Sequence, residues 1–185
     1  MALAAAAMPF SFAHVAAAQG SVFSVCHGYG CYYRTKVGLS ASDQAKIARI
    51  MKSGARSAAE ERAVVRKAVQ VFESRSTAVI GVRDGPKSEF GQPRRKGQMD
   101  CVDESTNTDH FLRYLQSRGL LKYHRVGRRA ARGLFIDGRY PHNTGVLKDR
   151  NGVSWAIDSW YEPAGGPPDV MPLSEWKKRG VNGQR

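Results

Sequence analysis

The sequence predicts an α+β fold: N-terminal helices and a cysteine-bearing core helix packed on an antiparallel β-sheet. Three observations carry this. Two capped amphipathic stretches fill residues 40–75, and a third begins at Cys101 behind a loop rich in glycine and charge. Beyond residue 120 the pattern turns strand-like, and the pair Asn151-Gly152 separates two β arms. Helices followed by a run of strands, rather than alternating with them, define the α+β class.

A chain of 185 residues supports one domain with a sizeable core, and 42% hydrophobic with 24% charged residues excludes disorder throughout. The net charge of +13 admits an anionic polymer as partner. However, the basic residues are spread widely, and the clusters at 94–96 and 128–132 sit beside turns, outside any nucleic-acid-binding motif. A solvated basic surface is the plainer reading.

Residues 1–18 are uncharged and rich in alanine, and Ala16-Ala17-Ala18 offers small residues for cleavage before Gln19. They read as a secretory signal, which places the protein outside the cytoplasm, periplasmic or secreted. Against this, no Lys or Arg precedes the apolar region; a misplaced start or a plain tail has the same composition. No stretch reaches membrane-spanning length.

Residues 19–40, with Gly20, Gly28, Gly30 and Gly38 among aromatics, form an N-terminal arm. The domain proper spans 41–185. Ser40 or Ser42 caps a first helix that Gly54 ends. Ser57 and Glu60 have the spacing of a capping box, and Val64, Val65, Ala68, Val71 and Phe72 give the second helix an apolar stripe running to about 75. The loop 81–97 is long and adjoins Cys101, as substrate walls do. The Cys101 helix continues through Phe111, Leu112 and Leu115 to Gly119. Strand character follows at 120–126 and 133–136, and the hairpin arms are 142–148 and 153–160. The proline-rich tail is irregular until Ser174-Glu175-Trp176, which starts a helical turn.

Three cysteines make an odd set. In an oxidising compartment Cys26 and Cys31 pair, leaving Cys101 as a free thiol that calls for a reason. At the start of a helix, first-turn N–H groups and the helix dipole favour an anionic sulfur, the nucleophilic form. His142 and Asp158 follow on the two hairpin arms, completing a nucleophile, base and orienter. Asp103 and Glu104 read as helix N-terminal charges. His110 lies too far along the Cys101 helix to face the thiol, while His124 stays a rival base. A two-residue Asn151-Gly152 turn would set Arg150 opposite Val153 and Asp158 opposite Gly145, so His142 and Asp158 would face opposite sides. A bulge near Gly145, or a longer loop, restores a common face. No ligand spacing supports a metal, and no cofactor is implied.

Met99-Asp100-Cys101 opening a helix, residues 141–147 (PHNTGVL) and residues 155–160 (WAIDSW) resemble the transglutaminase-like, papain-related cysteine proteinases, in their bacterial branch. The resemblance covers about residues 60–160. It implies a transglutaminase/papain-like core and the triad Cys101, His142 and Asp158. Val102 departs from the aromatic residue that often follows the cysteine in true transglutaminases, whereas Asp103-Glu104 matches the acidic residues of the proteinase-like branch. Gln98 is the side-chain oxyanion candidate, with the Cys101 N–H as second donor. The implied activity is acyl transfer at a peptide or protein amide, with hydrolysis favoured over transamidation. The alternatives are a catalytically inactive binding module on the same fold and a basic protein for an anionic polymer. Trp160, on the same strand face as Asp158, is placed to shield the carboxylate from water.

Overall fold

The computed structural model describes residues 21–87, 93–133 and 141–179. The segment read as a secretory signal, residues 1–18, lies outside them, as does most of the strand expected at 133–136. The order is β1 (Val22–His27), β2 (Tyr33–Gly38), α1 (Ala41–Ser53), α2 (Ala58–Ile80), α3 (Cys101–Ser117), β3 (His124–Val126), β4 (Ala130–Arg132), β5 (His142–Asp149), β6 (Ser154–Asp158), β7 (Asp169–Pro172) and α4 (Leu173–Trp176). The α+β class is therefore as the sequence predicts. The sheet runs β3-β5-β6-β7, with β4 also pairing β5 and every pairing antiparallel. No helix among the described residues is long and apolar enough to cross a membrane.

The N-terminal arm is not a loose extension. It is a hairpin whose Phe23, Val25 and Val37 enter the same core as Val65, Phe72 and Phe111 of α2 and α3. Phe72 and Phe111 stack at 4.7 Å, and Phe23 meets Phe72 at 4.8 Å. Close aromatic packing of this kind ties hairpin, α2 and α3 into one unit. A disulfide joins Cys26, in β1, to Cys31, in the β1–β2 connection.

Helix starts follow local chemistry. Ser40 caps α1 in a reciprocal box with Asp43, and Asp100 does the same for α3 with Asp103. The Ser57–Glu60 box predicted for α2 is only half made. Ser57 accepts from the Glu60 N–H, but the Glu60 carboxylate turns to Arg56 at 2.9 Å, a charged partner that outcompetes the cap N–H. The helix also runs past residue 75 to Ile80, where Gly81 closes it at φ 81°. Strand β3 is shorter than 120–126, because Leu120 and Leu121 complete the α3 terminus and pack on the core. Strand β7 arises in the tail read as irregular, by pairing with β6.

The hairpin register decides the site. Lys148 faces Ser154 and Gly145 faces Ile157, so the loop is Arg150, Asn151 and Gly152 rather than the predicted two-residue turn. Asp149 causes this: its Oδ1 accepts the N–H groups of Asn151 and Val153, and its own N–H reaches the Val153 carbonyl. Gly152 takes the left-handed position, at φ 86°, that such three-residue loops require. Continuing the ladder sets Asp158 opposite Thr144, two residues from His142, so the two side chains share a face. Gly145 matters in another way. A Cβ there would lie 2.9 Å from Thr108 Cγ2, so glycine lets α3 approach β5 closely.

Candidate active site

Cys101 is the first residue of α3, after the Asp100 cap. Its N–H has no intrahelical acceptor, because the first turn of a helix leaves its donors free. The thiol is buried at 6% exposure, and it clusters with Trp160 and Tyr161. Sγ lies 3.8 Å from the Pro141 carbonyl and 3.6 Å from Asn143 Nδ2, so it sits at the start of β5.

His142 Nε2 is 2.8 Å from Asp158 Oδ2, and the ring lies close enough to the Cys101 thiol for the two groups to interact. With Nε2 taken by the carboxylate, Nδ1 is the nitrogen left for sulfur. Burial works against the imidazolium, but the interactions with Asp158 and Cys101 outweigh it and hold the His142 pKa up at about 9. The structure thus brings the three predicted site residues into one chain of contacts.

Asp158 is 2% exposed and accepts three N–H groups: His142 Nε2, Trp176 Nε1 at 2.6 Å, and the Trp160 backbone at 3.3 Å. Trp176, fully buried, is the residue that seals the carboxylate. It is held in turn by Arg132, which lies over its ring at 4.6 Å and donates to its carbonyl at 3.0 Å. Trp160 instead packs its ring 4.7 Å from the His142 imidazole.

Gln98 is placed differently from the oxyanion role the resemblance implies. Its Nε2 donates to the Arg83 carbonyl at 3.2 Å, and its backbone carbonyl accepts from the Gly28 N–H. The side-chain donor beside the sulfur is Asn143. His124 is removed from the site, since it pairs with Glu61 at 2.8 Å at the far end of β5. Asp103 holds the disulfide loop by accepting the N–H groups of Tyr29 and Cys31, while Asp100 accepts that of Gly30. Among the described residues, the His, Cys, Asp and Glu side chains close enough to share one ion are Cys26, Cys31 and Asp103, and both sulfurs there are bonded to each other.

Beneath the first turns of α3 lies a group of buried acids. Burial, then repulsion from Asp84 and Glu73, raises the Glu104 pKa well above the ordinary range. Glu73 is half-buried as a residue but turns its carboxyl inward to Ser159 and the Gly165 N–H, and burial pushes its pKa up to about 7. Raised carboxyl pKa values mean the native state binds these protons more tightly than the unfolded chain. Stability is therefore full below the unfolded value near 4.5 and is lost as pH rises through about 7. Denaturant unfolding of Glu73→Gln should lack this component and gain at most about 3 kcal/mol over wild type at pH 8. A pH 5 to 8 profile unchanged by the substitution would contradict the assignment.

No family model, curated protein or solved structure matches the chain. The functional reading therefore rests on the residues and their geometry.

Proposed function

We propose that the protein is a cysteine-dependent acyl-transfer enzyme of the transglutaminase-like, papain-related class, hydrolysing peptide or protein amides. The observation that carries this is the contact chain from a helix-start thiol through His142 to a sealed Asp158. Two further features support the class: the cysteine opens the helix packed on the sheet, and the histidine and aspartate lie on successive antiparallel strands. The Cys26–Cys31 disulfide supports export, because such bonds persist in oxidising compartments.

In this reading the Cys101 thiolate attacks the carbonyl carbon, forming a C–S bond while the oxygen becomes an oxyanion. The Cys101 N–H and Asn143 Nδ2, both beside the sulfur, are the donors positioned to stabilise that charge. His142 gives its proton to the leaving amine as the C–N bond breaks, leaving a thioester. It then takes a proton from water, which attacks the thioester, breaks the C–S bond and regenerates the thiolate. Asp158 keeps the imidazole oriented and favours its charged form.

Fluorogenic peptide amides test this directly. Turnover should vanish in Cys101→Ala, and in wild type kcat/KM should fall on an alkaline limb near pH 9, where the His142 imidazolium deprotonates. Turnover that survives in Cys101→Ala would overturn the proposal.

A further inference from the structure

A groove of about 580 Å³ runs between α3 and the β3–β4 connection, within the size range of small-ligand sites. Asp109 and Arg113 of α3, Arg128 and Arg129 of the connection, and Asn143 of β5 line it. Asn143 links the groove to the thiol, since it lines the groove and its Nδ2 lies 3.6 Å from Cys101 Sγ.

The charges in the groove do not cancel. Arg113 is matched to Asp109 by bonds of 2.8 and 3.3 Å. Among the described residues Arg129 donates to neutral hydroxyls, Thr106 Oγ1 at 2.6 Å and Ser105 Oγ at 3.3 Å, which fix its guanidinium beside the first turns of α3. Arg128 is exposed and has no ion pair or hydrogen bond among the described residues. Nearby His110 has its pKa lowered by burial; Asp109 opposes this, and Arg129, Arg34 and Arg113 add to it. Two guanidiniums with no carboxylate partner among the described residues, presenting forked N–H donors, suit one or two carboxylates.

Resting on the acyl-transfer reading, we propose that this groove is the specificity subsite of the Cys101 centre and takes an acidic peptide segment, with Asp or Glu flanking the scissile amide. A peptide is favoured over an anionic polymer because Asn143, at one edge of the groove, touches the thiol. Two other basic grooves stand apart from the thiol: Lys122, Arg125, Lys148 and Arg150 beside β3, and Arg62, Arg66 and Lys67 on α2 beside Pro167 and Val170.

The test uses full-length Cys101→Ala protein, so that binding is read without turnover. Fluorescence anisotropy compares labelled hexapeptides rich in Glu or in Gln, and a single-stranded oligonucleotide of equal charge. The Glu peptide should bind about tenfold more tightly than the Gln peptide, and added Arg128→Glu should remove that preference. Added Lys67→Glu, on the α2 groove, should change it less than about twofold. Equal losses from Arg128→Glu and Lys67→Glu would overturn the subsite in favour of a diffuse basic surface. Tighter binding of the oligonucleotide would overturn it in favour of an anionic polymer. Peptide turnover by the unmodified enzyme separates the two proposals: activity without acidic preference sinks the groove alone, and acidic binding without activity sinks the chemistry alone.

Discussion

Asp158→Ala should lower amide turnover by roughly 10³–10⁴-fold, the scale seen when the orienting carboxylate of a nucleophile–histidine pair is lost. The reason is visible in its partners. The carboxylate accepts from His142, Trp176 and the Trp160 N–H and donates nothing, so alanine strands three buried donors at once. His142 would lose its hold on the correct ring orientation and the acceptor that keeps it cationic. Stability should fall by about 3 kcal/mol from the unpaired indole and imidazole alone. Asp158→Asn keeps the volume and one acceptor oxygen, but its NH2 must face one of three N–H groups. It should fold better than the alanine variant and still lose most activity. Steady-state kinetics beside urea unfolding separates the two effects; near-normal turnover in Asp158→Ala would remove the carboxylate from the mechanism.

The second large effect lies away from the thiol. Glu61→Ala should cost about 4 kcal/mol or more of folding stability. Glu61 is 1% exposed, yet its carboxylate accepts the backbone N–H groups of Lys122, Tyr123 and His124 and also His124 Nδ1. It is the tie between the start of α2 and the approach to β3, the neighbour of β5. Burial disfavours its charge, but the bonds from His124, Lys122 and Tyr123 prevail and hold its pKa below the ordinary value. A lowered carboxyl pKa contributes stability above the unfolded value near 4.5, and this is lost as pH falls through the folded value. The sign is opposite to that of Glu73. Glu61→Ala should therefore unfold at lower urea concentration at pH 7, and its deficit should shrink toward pH 3. A deficit that stays constant across that range would show that packing, not the charged hydrogen bonds, is what Glu61 supplies.

Much of the site was legible because its signals are local. Asp100 and Asp103 mark a helix start around Cys101, and the alternation about Asn151-Gly152 marks a hairpin carrying His142 and Asp158. The register was not legible, because it turned on whether the Asp149 side chain would capture the loop N–H groups. That single choice moves Asp158 from one face of the sheet to the other. Trp176 was hidden for a different reason. Its bond to Asp158 depends on β7 pairing with β6 and carrying α4 back over the site, which no periodicity in a proline-rich tail announces. Glu61 carries no such signal either: it is one of two acidic residues in the first turn of α2, and its partners lie beyond a whole helix. Gln98 was placed by spacing alone, and the structure gives its amide to the Arg83 carbonyl while Asn143 stands beside the sulfur.

The central claim is that His142 and Cys101 act as one unit, and the pH dependence of Cys101 alkylation tests it most directly. Iodoacetamide reacts with the thiolate, and an ordinary thiol, with a pKa of about 8.5, is almost unreactive at pH 6. Since Cys26 and Cys31 are joined in a disulfide, labelling under non-reducing conditions reports on Cys101. Wild type should label rapidly and at nearly constant rate down to pH 6, while in His142→Ala the rate should fall about tenfold per pH unit below 8. Identical profiles that follow an ordinary thiol, indifferent to His142, would contradict the account and leave the chain a binding domain.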